Sequence, residues 1–274
     1  RLDRMAEELR RDRSLPKFAQ AIALYHLVVE GTLAQPGQHF IEDYFAKAGT
    51  LPGFSEGMTH VSRDEQRHIG FGVKVLSELF RESEECKEAV RELLLEVLPY
   101  ALAVFNPPNM DREWTRCYGF ELEDIYEFGI RSAMTKWRAT GYPLEEMPGV
   151  LPVDPELGPR GIAERQIRLL EANVMGAPHP EPSRDPDVQR LFFDVVARSV
   201  DTSASPGEPL TIQWRFRDAD PWHLIVANAS TRAEPGIAPS ADITLETTWA
   251  DWIAVSKGTL DARRALFTRR LRFR

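Results

Sequence analysis

Apolar residues recur at helical spacing through the first 140 positions and at every second position in several later runs, so the chain reads as helices first and strands afterwards. Ser14 ahead of Leu15 and Pro16 is a helix start, because a serine hydroxyl caps a first turn and proline is tolerated there. From that point Phe18 to Phe45 carries a helical period. A kink is expected at Pro36-Gly37, where proline removes a backbone donor. Leu51-Pro52-Gly53 separates this run from a second helix, roughly Ser55 to Arg81. A third is expected over about Glu84 to Phe105, kinked at Pro99 and stopped by Asn106-Pro107-Pro108-Asn109. A fourth spans about Glu113 to Ala139 and ends at Gly141. Four long helices joined by short turns predict a bundle.

The period then changes. Residues 141–186 hold nine of the 20 prolines, with one helical piece at about Gly161 to Asn173. Residues 176–186 read as an extended linker. Beyond a short helix, Val188 to Arg198, the alternating runs Leu210 to Arg217, Trp222 to Ala227 and Ala241 to Glu246 predict strands, the first two joined through Asp218-Ala-Asp-Pro. Trp249 to Val255 reads as a short helix stopped at Lys257-Gly258, and Phe267 to Phe273 as a last strand. The expected organisation is a helical bundle over 1–175, a linker over 176–186, and a small α+β domain over 187–274.

Within the helical pattern two places break the rule that buried faces are apolar. Glu30 lies in Ala21-Ile-Ala-Leu-Tyr-His-Leu-Val-Val-Glu-Gly-Thr-Leu-Ala, where its helical neighbours are Ala23, His26, Leu27, Leu33 and Ala34. A carboxylate on such a face needs a partner. An arginine, a tyrosine hydroxyl or a metal ion would each serve. On the next helix Glu65 and His68 stand three apart and share a face with Met58, Val61, Ile69, Gly72 and Val75. Glu-x-x-His projecting into a bundle, with a single Glu from another helix, is the donor set with which carboxylate-bridged metal pairs are held. His26, four before Glu30, is either a neighbour of that site or an ordinary core or surface histidine, the latter preferred. His39, His60, His179 and His223 show no partner pattern.

Composition narrows the classes without adding a site. The net charge of −8 is uneven, with a balance of −9 over residues 1–186 and +1 over 187–274. Neither part has the dense basic stripe of a nucleic-acid binder. The arginine-rich end is expected to be solvated, flanking inward-facing Leu266, Phe267, Leu271 and Phe273. Cys86 and Cys117 are too few for a disulfide framework and point to reduced thiols in a cytoplasmic protein. No stretch approaches the ~20 apolar residues of a membrane span.

The runs Tyr25-His-Leu-Val-Val-Glu-Gly-Thr-Leu-Ala and Arg63-Asp-Glu-Gln-Arg-His-Ile-Gly-Phe-Gly resemble the ligand-binding oxidases related to the ribonucleotide reductase small subunit, over roughly residues 14–140. The resemblance implies a ferritin-like bundle in which a manganese/iron or di-iron pair activates dioxygen beside a bound long-chain fatty acid. It implies Glu30, Glu65 and His68 as metal ligands. It also implies Tyr25, five residues before Glu30, as the tyrosine joined by an ether bond to a valine. In that family a further Glu, a second Glu-x-x-His and the valine come from upstream helices, which this sequence does not include. The expectation is therefore half a site, inactive by itself, completed by residues preceding Arg1 in the preferred reading and otherwise by a second copy of the chain across a twofold axis. The abrupt start at Arg1 and the open end after Phe273 suggest a chain cut at both ends.

A second resemblance covers about residues 187–274. Ala241-Asp-Ile-Thr-Leu-Glu, the run from Trp249 to Phe267 and the strand Leu271-Arg-Phe look like a sterol-carrier-protein domain, implying a lipid tunnel. Trp214, Phe216, Trp222, Ile225, Trp252 and Phe267 would line such a tunnel or form ordinary core. Together the two resemblances imply a dimetal oxidase fused to a lipid carrier. A ribonucleotide reductase small subunit, or a non-catalytic lipid-binding scaffold with a degenerate metal site, are the other readings.

Overall fold

The computed structural model describes residues 1–107, 110–147, 157–176, 181–200, 208–227 and 230–274. Contacts divide these into a helical unit, essentially residues up to 164, and a sheet-containing unit, essentially 165–274. The division thus falls at Glu164–Arg165, upstream of the expected linker, whose residues 177–180 lie outside the described residues.

The helical unit begins with α1 (Leu2–Arg11), which packs on α2 (Leu15–Ile22). Ser14 caps α2 as expected, its hydroxyl accepting from Lys17 N–H at 3.4 Å, and Pro16 sits in the first turn. The helix continues into α3 (Gln35–Ala48), but between them the backbone widens into a π-helical run, π1 (Ala23–Ala34). The irregularity expected as a kink at Pro36 is instead spread upstream of it. In a π-helix each carbonyl accepts from the residue five ahead. Gln35 N–H accordingly bonds Glu30 O, while the next carbonyl, Gly31 O, would need the N–H that Pro36 lacks. Lys136 supplies the missing donor, its ammonium lying 2.7 Å from Gly31 O.

Three further long helices complete the unit: α4 (Pro52–Glu82), α5 (Glu84–Ala101) and α7 (Leu122–Thr140). Pro99 lies inside α5, which ends two residues later. The expected fourth helix is broken. A single turn, α6 (Glu113–Arg116), gives way to Gly119 at φ 81°, and α7 starts afresh with Glu121 and Asp124 forming a reciprocal cap. Gly141, at φ 79°, ends it where expected. Leu24, Leu27, Leu76, Leu94, Ile125 and Trp137 are buried between π1, α4, α5 and α7. Along α4 the fully buried residues, among them Ile69, Gly72 and Leu76, fall in the second half, while Val61 is exposed.

The second unit contains the end of α8 (Pro159–Glu171), α9 (Pro186–Arg198) and a five-stranded sheet. Its strands are β1 (Leu210–Phe216), β2 (Trp222–Ala227), β3 (Ser230–Pro235), β4 (Ile243–Thr247) and β5 (Arg272–Phe273), in the order β3-β2-β1-β4-β5. All pairings are antiparallel except β1 with β4, whose register sets Ile212 beside Ile243. Two short helices, α10 (Trp249–Ser256) and α11 (Ala262–Phe267), lie between β4 and β5.

Aromatic rings form this unit's core. Phe193 of α9 stacks on Trp222 at 4.8 Å and 8° and meets Trp214 at 5.3 Å, while Trp249 sits edge-on to Phe216 at 5.3 Å. Trp214 and Trp222 are therefore core side chains. Two expectations for the chain's end are corrected. Residues 262–267 are helix, so the last strand is two residues long, and Phe267 is 90% exposed rather than inward-facing or lining a tunnel. Only Leu271 of the four apolar residues expected to face inward is buried; Phe273 is more than half exposed. Among the described residues no helix is long and apolar enough to cross a membrane.

Candidate metal centre

The carboxylate expected on an apolar face is indeed withdrawn from water. Glu30, near the middle of π1, is 5% exposed, with Leu27, Val28 and Gly31 buried around it. Glu65 and His68, one helical turn apart on α4, point back at it. The imidazole Nδ1 of His68 lies 3.4 Å from Glu30 Oε1 and 3.8 Å from Glu65 Oε2. One donor atom from each of the three residues falls within 4.8 Å of the others, close enough for a single cation to touch all three.

Charge decides among the partners a sequence reading leaves open. Among the described residues no lysine or arginine pairs with Glu30 or Glu65, and no tyrosine hydroxyl bonds them. Instead the two acids face imidazoles. Glu65 Oε2 is fully buried and has no hydrogen-bond partner. A carboxylate oxygen withdrawn from water without a hydrogen bond is unfavourable, and a coordinated cation would offset that cost. The donors are two carboxylates and one imidazole nitrogen, a set suited to iron or manganese and poor for soft metals. The three residues fit one such ion.

The opposite oxygen of Glu30 is held differently. His26, one turn earlier on π1, places Nδ1 2.7 Å from Glu30 Oε2. His26 is thus a neighbour of the cluster, the less favoured of the two readings that its sequence position allows. Its spacing of four from Glu30 was the available signal. Tyr25 lies beside it, ring edge to ring at 5.1 Å, and is about half exposed. Phe71, also half exposed, packs against His26 at 5.6 Å. The site therefore opens to solvent along Tyr25, His68 and Phe71.

Lys136 is the residue missed from sequence. Its ammonium donates to Gly31 O, to Ser132 Oγ at 2.6 Å and to Gln35 Oε1, so it holds π1 from α7 at the residue next to Glu30. Burial pushes its pKa down from 10.5 to about 8. Of the other histidines, none of the described ones joins the cluster: His39 stacks on Phe128 and His223 faces Gly236 O and Glu234, while His179 lies outside the described residues.

Residues 201–274 match the SCP-2 sterol transfer family. Among solved structures the chain is similar to R2-like ligand-binding oxidases. One is a mutant with an anaerobically reconstituted Mn/Fe cofactor, at 24% identity and a TM-score of 0.44 over 51% of this chain and 49% of that one. Another is the R2-like ligand-binding oxidase from Sulfolobus acidocaldarius, at 20% identity and a TM-score of 0.42 over 59% and 49%. The chain spans about half the length of these structures. At scores this low the likeness carries no argument about chemistry, which rests on the donors described above.

Proposed function

We propose that Glu30, Glu65 and His68 are the ligands this chain contributes to a non-haem dimetal-carboxylate centre, holding manganese and iron or two irons, in an oxidoreductase that handles a long-chain lipid. The observation that carries the reading is the buried oxygen of Glu65, without a hydrogen bond and 3.8 Å from His68 Nδ1, with no lysine or arginine among the described residues to neutralise it. When bound, such a metal pair supplies electrons for the activation of dioxygen. The chain's own residues do the rest. Glu30 and Glu65 offset the cation charge, His68 supplies a neutral nitrogen, and the apolar wall of π1 keeps water from the inner side of the site.

Tyr25 is the proposed oxidisable phenol. Joining its oxygen to a carbon removes one O–H and one C–H hydrogen, a two-electron oxidation for which dioxygen is the acceptor. Its half-exposed ring, beside His26 and at the open side of the site, supports access of a second group to it. The match of residues 201–274 to a sterol transfer family supports the lipid part, with that unit presenting or sequestering the acyl ligand in the cytoplasm. The remaining ligands come from further residues of the protein or from a second copy of the chain.

The test is metal content after anaerobic reconstitution with Fe(II) and Mn(II). The protein with its full ligand set should retain metal in stoichiometric amount and its Glu65→Ala variant should lose it; equal, trace content in both would overturn the proposal. Mass analysis of extracted lipid checks the second half, where no co-purified or bindable acyl chain would count against a lipid role.

A further inference from the structure

The two oxygens of Glu30 face different partners, and that division points to a positioning residue. Oε1 looks toward His68 and, across it, Glu65. Oε2 is taken by His26 at 2.7 Å. An ionised carboxylate cannot donate, so the hydrogen between them sits on His26 Nδ1, which fixes that ring's tautomer with Nδ1–H donating. His26 itself stays outside the cluster of donors that one ion can touch: among the described residues only Glu30, Glu65 and His68 satisfy that distance. Its ring centre is 6.4 Å from that of His68.

The fold reserves space for this contact. A Cβ built at Gly72 of α4 would overlap His26 Cβ and lie 3.0 Å from its Cγ, so the histidine reaches its place only because position 72 has no side chain. Phe71 and Tyr25 close edge-on over the same ring. The imidazole is thus gripped on three sides and only 14% exposed.

We propose that His26 is the positioning residue of the metal centre: it occupies Glu30 Oε2 so that Oε1 alone is presented to a cation, making Glu30 a one-oxygen ligand of set orientation. The inference rests on the metal reading above. Without His26, Glu30 is free to rotate and to offer both oxygens, changing the coordination number at the ion. Hydrogen-bonding partners of metal ligands commonly change affinity by about 10- to 100-fold when removed.

Co(II) is the probe, because its visible absorption intensity reports coordination number, and the full chain is used throughout. The wild-type chain should bind Co(II). His26→Ala should bind about tenfold or more weakly with an altered visible spectrum. His26→Asn, whose amide can donate from nearly the position of Nδ1, should restore the wild-type spectrum and most of the affinity. An unchanged spectrum and affinity in His26→Ala would overturn the proposal. So would loss of binding in both His26 variants, which would make the imidazole a ligand. No binding by the wild-type chain would instead sink the metal reading itself and this inference with it. A measurement independent of variant folding is the proton spectrum of histidine-labelled wild-type chain without metal. Beside that of His223, whose Nδ1 faces Gly236 O, it should show a slowly exchanging Nδ1–H that is lost in Glu30→Ala; absence of that signal in the wild type would refute the contact.

Discussion

Gln213 in the sheet and Glu65 in the helical unit are both polar side chains drawn away from water, yet they are served differently. The amide of Gln213 donates to Trp222 O at 2.8 Å, to Trp214 O at 2.9 Å and to Gly236 O, and its oxygen accepts from Ala238 N–H at 2.8 Å. Glu65 Oε2 bonds nothing. The first arrangement ties a central strand to the loop after β3 and uses up its own polarity in doing so. The second leaves an anionic oxygen beside another carboxylate. Where the sheet unit does leave polar atoms unpaired, at the indole nitrogens of Trp214 and Trp252, they are neutral donors, cheaper to strand than a charge. A saturated polar group is built for stability, and an unsaturated charged one for a ligand.

Substitutions should separate the two units along that line. The largest effect belongs to the sheet unit's core. Phe193→Ala removes a fully buried ring stacked on Trp222 and should cost about 3–5 kcal/mol, read as a lower denaturant midpoint for that unit. Next comes Gln213→Leu, which strands the Ala238 N–H and the carbonyls it served; a loss of about 1–3 kcal/mol is expected by the same measurement. A loss under about 0.5 kcal/mol would break the contrast drawn here.

Both units should respond to alkaline pH, the helical one through Lys136 and the sheet unit through Lys257, whose pKa burial also lowers. Burial lowers the folded pKa of Lys136 from 10.5 to about 8, so between those values the unfolded chain binds more protons than the folded one. Stability of the helical unit should therefore rise with pH from about 8 toward 10, and that rise should vanish in Lys136→Met. Above that window Tyr142 acts the other way, because burial raises its phenol above the ordinary value and the unfolded chain loses that proton first. Urea midpoints at pH 7.5, 8.5 and 9.5 settle the sign. The smallest stability effect is expected at Glu65→Gln, within about 0.5 kcal/mol of the wild type or in its favour, since an unpaired charge is removed.

The parts legible from sequence were those governed by near neighbours. Ser14 with Pro16 marked a helix start, and Glu30, Glu65 and His68 stood out because charge on an apolar helical face is rare. The parts that were not legible depend on distant or featureless positions. No residue type within Ala23–Ala34 marks the widening of π1, and the lysine that repairs it lies over a hundred residues away. Edge strand β3, Ser-Thr-Arg-Ala-Glu-Pro, has no apolar alternation, since an edge strand has little to bury. The alternation of Phe267 to Phe273 read as a strand, but Asp261 caps α11 through Arg264 N–H and turns the chain into helix as far as Phe267.

The central claim is that the polarity left unpaired beside Glu30 awaits a cation. Thermal unfolding of the wild-type chain and Glu65→Gln, with and without saturating Fe(II) under anaerobic conditions, tests it most directly. A ligand that binds only the folded state raises its stability by mass action. The wild-type midpoint should rise with Fe(II) and that of Glu65→Gln should not, although the variant is at least as stable without metal. A wild-type midpoint unmoved by Fe(II), or an equal rise in the variant, would contradict the account.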